Sequence, residues 1–165
     1  MLDKELLNRL FRYAMSLSNQ QADAYDLLQS SLVKFLSGNW QSVSNPSAYI
    51  RRMIRNQYID QTRRHARVAF ELIENQDALA HDTQSLEDFV INENLVEHIW
   101  KMLEAAEREV LFLWAIEGFT TKEIAAEINA PRGTVLSRIH RIRKKIHLLM
   151  EQDNPLTNVG GGQSV

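Results

Sequence analysis

From Ile128 through Met150 the chain carries no acidic residue, while Arg132, Arg138, Arg141, Arg143, Lys144 and Lys145 supply positive charge. Cations at this density can neutralise a run of phosphates, and the polyanion that suits a helix of this kind is DNA. A second basic set, Arg51, Arg52, Arg55, Arg63, Arg64 and Arg67, lies far upstream and is interleaved with Trp40, Tyr49 and Tyr58. Rings that stack on bases beside arginines that hold a backbone suit unpaired nucleic acid. The same tyrosines at helical spacing would serve equally as core. Bond-making chemistry has little support. His65, His81, His98, His140 and His147 show no metal-ligand spacing, and there is no glycine-rich phosphate loop or nucleophile constellation. Glu107 and Glu109 stand two apart and face different ways on a helix. No metal and no cofactor is expected.

The elements that position these residues read as helices. Leu6, Leu7, Leu10, Phe11 and Ala14 repeat at helical spacing within Leu2–Leu17. A second stripe, Ala24, Leu27, Leu28, Ser31, Leu32, Phe35 and Leu36, runs through 22–36, with Asp23 and Asp26 in its first turns. A Gly/Ser/Asn loop leads to Pro46, which is tolerated in a first helical turn. The helix from there to Arg64 turns Ile50, Met53, Ile54 and Tyr58 inward and its arginines outward. Apolar patterning resumes near Asn94 with Leu95, Ile99, Met102 and Leu103, then covers 106–116 and stops at Gly118.

Thr120 and Glu123 form a capping box that opens the next helix. Ala125 is small enough for a close helix crossing, and Asn129-Ala130-Pro131 turns the chain, with Pro131 placed for the first turn of the last helix. There Val135, Ile139, Ile142 and Ile146 form the buried stripe, leaving Ser137, Arg138, His140, Arg141 and Lys144 outward. That is a helix-turn-helix, whose second helix lies in a major groove. Arg141 bidentate to guanine would be worth roughly 1–3 kcal/mol of discrimination.

The chain has 165 residues, 44% of them hydrophobic, which rules out wholesale disorder. With no cysteine there is no disulfide and no thiolate metal site, which fits a reducing cytoplasm. The opening MLDKELLNRL reads against a signal peptide, and no window approaches a membrane span, so no membrane insertion is expected. The net charge of −2 hides segregation: residues 68–98 hold eight Asp/Glu and no Lys/Arg, between neighbours that are neutral to basic. No strand alternation of useful length and no internal repeat is present. The expectation is all-α, two small helical domains joined by an acidic flexible linker. Residues 1–66 form an N-terminal helical bundle, 67–93 the linker with one short helix, 94–150 the helix-turn-helix domain and 151–165 a disordered tail.

LFRYAMSLSNQQADAYDLLQSSLVKFL, PSAYIRRMIRNQYIDQTRR and REVLFLWAIEGFTTKEIAAEINAPRGTVLSRIHRIRKKI occur in this order. Over about residues 5–148 the chain resembles the bacterial extracytoplasmic-function (ECF, group 4) sigma factors of the sigma-70 family. The helix-turn-helix alone is weakly specific. Its pairing with AD-x-x-DLLQ and RN-x-x-x-D-x-x-RR is strong.

The resemblance implies that Asp26, Leu27 and Gln29 dock on the β′ clamp helices of core RNA polymerase, with the β flap a further contact. It implies that Arg51, Arg55, Asn56, Asp60, Arg63 and Arg64 meet the −10 promoter element. The loop from Gly38 to Ser47 would pocket a flipped base, and the acidic linker would thread the polymerase channels. Arg132, Thr134, Ser137, Arg138, His140, Arg141 and Lys144 would meet the −35 element. An anti-sigma protein is an implied partner. Four positions depart from the family: Tyr25 and Ser30 stand where acids are common, Ala130 where a cap precedes the proline, and Tyr49 for a frequent tryptophan. A helix-turn-helix regulator that does not replace a sigma subunit is the competing expectation.

Overall fold

The computed structural model describes residues 2–66 and 93–152. Residues 67–92, where an acidic linker with one short helix is expected, and the tail beyond Gln152 lie outside the described residues. No described residue is in a strand.

Seven α-helices follow in order: α1 Lys4–Ser18, α2 Gln21–Ser37, α3 Pro46–Ala66, α4 Glu93–Met102, α5 Ala105–Leu111, α6 Thr121–Glu127 and α7 Arg132–Gln152. A 3₁₀ turn at Trp40–Ser42 precedes α3, and a π turn at Phe112–Ile116 continues α5. The expected boundaries hold to within a few residues, except that the 106–116 helix divides into α5 and the wider π turn, and α7 runs two residues past 150.

Local chemistry explains the helix ends. Asp3 caps α1 by accepting from the Leu6 amide at 2.7 Å, and Asn19 ends it at φ 55°, returning its amide to Met15. Asn45 accepts from the Ala48 amide at 3.1 Å, so Pro46 sits at the first helical position of α3, where its missing donor is harmless. Gly118 takes φ 72°, the left-handed conformation that a side chain resists.

α1, α2 and α3 pack mutually around Leu10, Tyr13, Leu27, Phe35, Ile50 and Ile54. Val110, Leu113, Ile124, Val135, Ile139, Ile142 and Ile146 form the corresponding centre of α4–α7. Leu36 departs from expectation: it is 54% exposed, because α2 turns Ala24, Leu27, Leu28, Ser31 and Phe35 inward and Leu36 lies at the edge of that stripe. Ile50 and Ile54 have no exposed surface. Each such burial contributes about 1.5–3 kcal/mol, so this pair fixes the roll of α3 about its axis. Arg51 and Arg55, one position on from each, are thereby turned toward the second helical unit. The two units are not held apart as tethered bodies, for α5 packs directly on α1.

Candidate nucleic-acid interface

The helix-turn-helix is built as its residues dictate. The Thr120 side chain accepts from the Glu123 amide at 3.2 Å, and Glu123 accepts from the Thr120 amide at 2.7 Å. The Thr120 amide and the Thr120 hydroxyl, both donating to Glu123 Oε2, hold the Glu123 carboxyl below its usual range. α6 ends in a Schellman arrangement, with Asn129 at φ 52° and the Ala130 amide reaching Ala125 O at 3.0 Å. Pro131 stands one residue before α7 rather than inside its first turn, and its carbonyl accepts from the Thr134 and Val135 amides. Arg132 donates to Thr121 Oγ1 at 3.2 Å, tying the two helices. Val135, Ile139, Ile142 and Ile146 are all buried, so Arg141 and Lys144 lie exposed and Thr134, Ser137 and His140 half-buried on the opposite side. Ser137 spends its hydroxyl proton on Gly133 O at 2.9 Å.

On α3, Arg52, Asn56, Asp60, Arg63 and Arg64 are exposed. Tyr49 is 48% exposed, with its ring 5.9 Å from that of Phe35, so it can offer a face at the end of the Gly38–Ser47 loop. On α2, Asp26 and Gln29 are exposed and border an open groove with Ser30, Val33, Lys34 and Gln61. A carboxylate, an amide and the exposed Val33 on one helical face suit docking against a basic helical partner.

Residues 2–68 match the family model of sigma-70 region 2, and residues 94–146 that of sigma-70 region 4. The RNA polymerase sigma-E factor of Streptomyces avermitilis is 32% identical over 153 residues, covering 86% of this chain and 79% of that protein. The chain belongs to the ECF group of the sigma-70 family. The ECF RNA polymerase sigma factor SigE of Mycolicibacterium smegmatis is 29% identical over 150 residues, 88% of this chain, which spans only 58% of that relative. Among solved structures, the sigma factor RpoE of Bartonella quintana, in complex with the anti-sigma factor NepR, superposes with a TM-score of 0.63. It is 27% identical, and the match covers 91% of this chain and 94% of that one. CnrH, in complex with the cytosolic domain of CnrY, has a TM-score of 0.54 at 23% identity, covers 89% of this chain and 83% of that one, and supports the fold alone.

In this ECF chain three arginines expected to face outward, Arg51, Arg55 and Arg138, are placed differently. Leu27 has no exposed surface, in keeping with its place in the apolar stripe of α2. Arg51 does not point to solvent: it is 6% exposed, with its Nε 2.8 Å from Glu127 Oε1 and its guanidinium 5.3 Å over the Phe119 ring. Arg138 is half-buried, and the loss of water lowers its pKa, partly offset by Glu109.

Sequence reasoning missed the partners of these arginines. Arg55 Nε lies 3.0 Å from Glu109 Oε1, and Tyr13 donates to the same oxygen at 2.6 Å. Burial pushes the Tyr13 hydroxyl well above its ordinary pKa, so it stays a donor. Burial also raises Glu109, against the opposing pull of Arg55 and the Tyr13 hydrogen bond. Arg108 is buried as well and donates to Ser16 O at 2.8 Å, Leu17 O at 3.1 Å and Leu103 O at 2.5 Å. The one available sign was Glu107-Arg108-Glu109 beside Val110 in a short helix with no room for a wide polar face.

A raised Glu109 gives a pH signature. Between its raised folded value and the ordinary 4.5, the folded chain holds a proton that the unfolded chain has released. Stability supplied by that proton therefore grows as pH falls through this window and is absent at higher pH. Glu109→Gln has no such proton. Urea midpoints of the two proteins, compared from neutral pH down toward 4.5, should shift in favour of the wild type as pH falls; parallel curves would contradict the assignment.

Proposed function

We propose that the chain is a promoter-specificity subunit that binds core RNA polymerase in the cytoplasm and directs initiation through two separated DNA elements. Residues 1–66 act as the region 2 domain, 67–93 as the acidic linker and 94–150 as the region 4 domain. Asp26 and Gln29, supported by Leu27, dock on the β′ clamp helices, and the region 4 domain meets the β flap. Arg51, Arg55, Asn56, Asp60, Arg63 and Arg64 serve the −10 element. Arg132, Thr134, Ser137, Arg138, His140, Arg141 and Lys144 serve the −35 element. The chain makes no bond itself, since the polymerase does the chemistry.

The observation that carries this reading is the occurrence, in one chain and in order, of both sigma-70 regions, each with its polar face still exposed on α2 and α7. A regulator that merely borrowed the helix-turn-helix would have no use for the first region. Control by an anti-sigma protein is supported by the RpoE–NepR complex, whose match spans both helical units of this chain. Among the described residues no helix is long and apolar enough to cross a membrane.

Run-off transcription with purified core polymerase and a promoter library is the test. Initiation at a defined promoter class that requires this chain is expected; no chain-dependent transcript would defeat the reading. Within that assay Arg141→Ala should relax preference at one −35 position. An Arg–guanine pair carries roughly 1–3 kcal/mol, so discrimination there should fall about 5- to 150-fold. Unchanged promoter choice would remove Arg141 from the reading set.

A further inference from the structure

Two polar residues interrupt the apolar contact between α2 and α3. Ile50, Ile54 and Gln57 follow one another at steps of four and three, so all three share the inward stripe of α3. The two isoleucines have no exposed surface, whereas Gln57 brings an amide to a position that suits an aliphatic side chain. Ser30, three residues after the fully buried Leu27, meets it from α2. Ser30 Oγ lies 2.6 Å from Gln57 Oε1 and 2.6 Å from Asp26 O. A hydroxyl has one proton and two lone pairs. With the proton given to Asp26, the Gln57 amide completes the pair by turning its NH2 group to Ser30, which also gives a partner to a nitrogen otherwise buried without one. Among the described residues this is the one side-chain hydrogen bond between α2 and α3.

We propose that the Ser30–Gln57 pair fixes the register between the core-docking helix and the −10 helix, which makes Gln57 a positioning residue for promoter recognition. That role presupposes α2 on core polymerase and α3 on the −10 element. Ser30 directly follows Gln29 and lines the same groove as Asp26. Gln57 directly follows Asn56 on the reading helix. Any slip or roll of α3 along α2 would therefore displace the reading side chains from the docked ones. Apolar contact is non-directional, so Leu27, Phe35, Ile50 and Ile54 alone leave such movement inexpensive. A hydrogen bond weakens steeply with distance and angle, and a broken one strands a buried amide between packed helices. A polar pair inside an apolar helix contact thus gives up some stability for a single alignment.

The full chain has no cysteine, so spin labels at Ala22→Cys on α2 and Thr62→Cys on α3, both exposed positions, report the register without background. Ser30→Ala with Gln57→Leu removes both polar partners and keeps the apolar fill. That double variant should keep the urea midpoint at or above wild type, yet broaden the single narrow distance peak or add a second. In run-off transcription with core polymerase on templates randomised at the −10 positions, preference for the best base should fall about fivefold, the factor that one hydrogen bond of ordinary net strength supplies. Affinity for core polymerase should not change. Ser30→Thr keeps the hydroxyl and should retain both the narrow peak and the preference. Ser31→Ala is the control on the same helix, because Ser31 Oγ is buried without a hydrogen-bond partner and its loss should alter neither readout. An unbroadened peak in the double variant would overturn the register claim, and a broadened peak with full base preference would overturn the positioning role. An equal loss with Ser31→Ala would reduce the effect to packing and overturn both. Should the double variant fail to fold, Gln57→Leu alone is held to the same outcomes. A wild-type chain that supports no promoter-dependent transcript would strike the sigma reading, while the distance peak still decides whether the pair holds the register.

Discussion

Asp26→Arg should abolish assembly with core RNA polymerase while leaving the fold and DNA binding intact. Asp26 is exposed on α2, and its backbone carbonyl accepts from Ser30 Oγ at 2.6 Å. The helix therefore loses no internal contact when the side chain changes. A new cation set against a basic partner costs several kcal/mol, and each 1.4 kcal/mol is tenfold, so affinity should drop on the order of 100-fold or more. Ser30 and Tyr25 leave few other acids on this face to compensate. Titration of labelled core polymerase measures the loss, and duplex binding by the same protein is the control. Holoenzyme formation at wild-type affinity would contradict the docking assignment.

Arg108→Ala should destabilise the chain as strongly as the truncation of a large core side chain. Its guanidinium satisfies the carbonyls of Ser16 and Leu17 at the end of α1, and that of Leu103 in its own unit. Hydrogen bonds to a charged group contribute about 1.5–3 kcal/mol each. They are not additive, and a loss of about 3–4 kcal/mol is expected, since a shared donor group fails as one. The negative end of α1 also loses the cation that faces it. Urea denaturation would show the midpoint falling, and Arg108→Lys should recover only part, because an ammonium cannot span three carbonyls as a planar fork does. A loss below about 1 kcal/mol would mean that water replaces the guanidinium without difficulty.

The features legible in the sequence are those set by neighbours a few residues apart. The capping box at Thr120 and Glu123, the Asn129 turn, the Val135–Ile146 stripe and Pro46 at a helix start all depend on spacing of three or four, and all are present as read. Exposure of Asp26 and Gln29 follows from the same periodicity. What could not be read depends on partners some fifty to a hundred residues away. Tyr13 and Glu109 are 96 positions apart, Arg55 and Glu109 are 54, and Arg51 and Glu127 are 76. An arginine in a basic run has the same spacing whether it faces water or a buried carboxylate. Leu36 illustrates the converse, since one stripe can hold more apolar residues than the packing neighbours have surface to cover.

The π turn at Phe112–Ile116 has a bearing on how this chain tolerates insertions and deletions. It lies between α5, which is anchored to α1 through Arg108, and the turn at Gly118 that launches α6. A π turn accommodates one residue more than a regular helix, and each residue advances a helix by about 100°. Removing a single residue here would let the segment relax into ordinary α geometry. The surplus residue is the one that the wider turn absorbs, so the segments on either side would keep their phase and α6 and α7 would still meet α1 at the present angle. Tolerance of a one-residue deletion is thus built in at this point, whereas the same deletion inside α7 would rotate every side chain beyond it by about 100°.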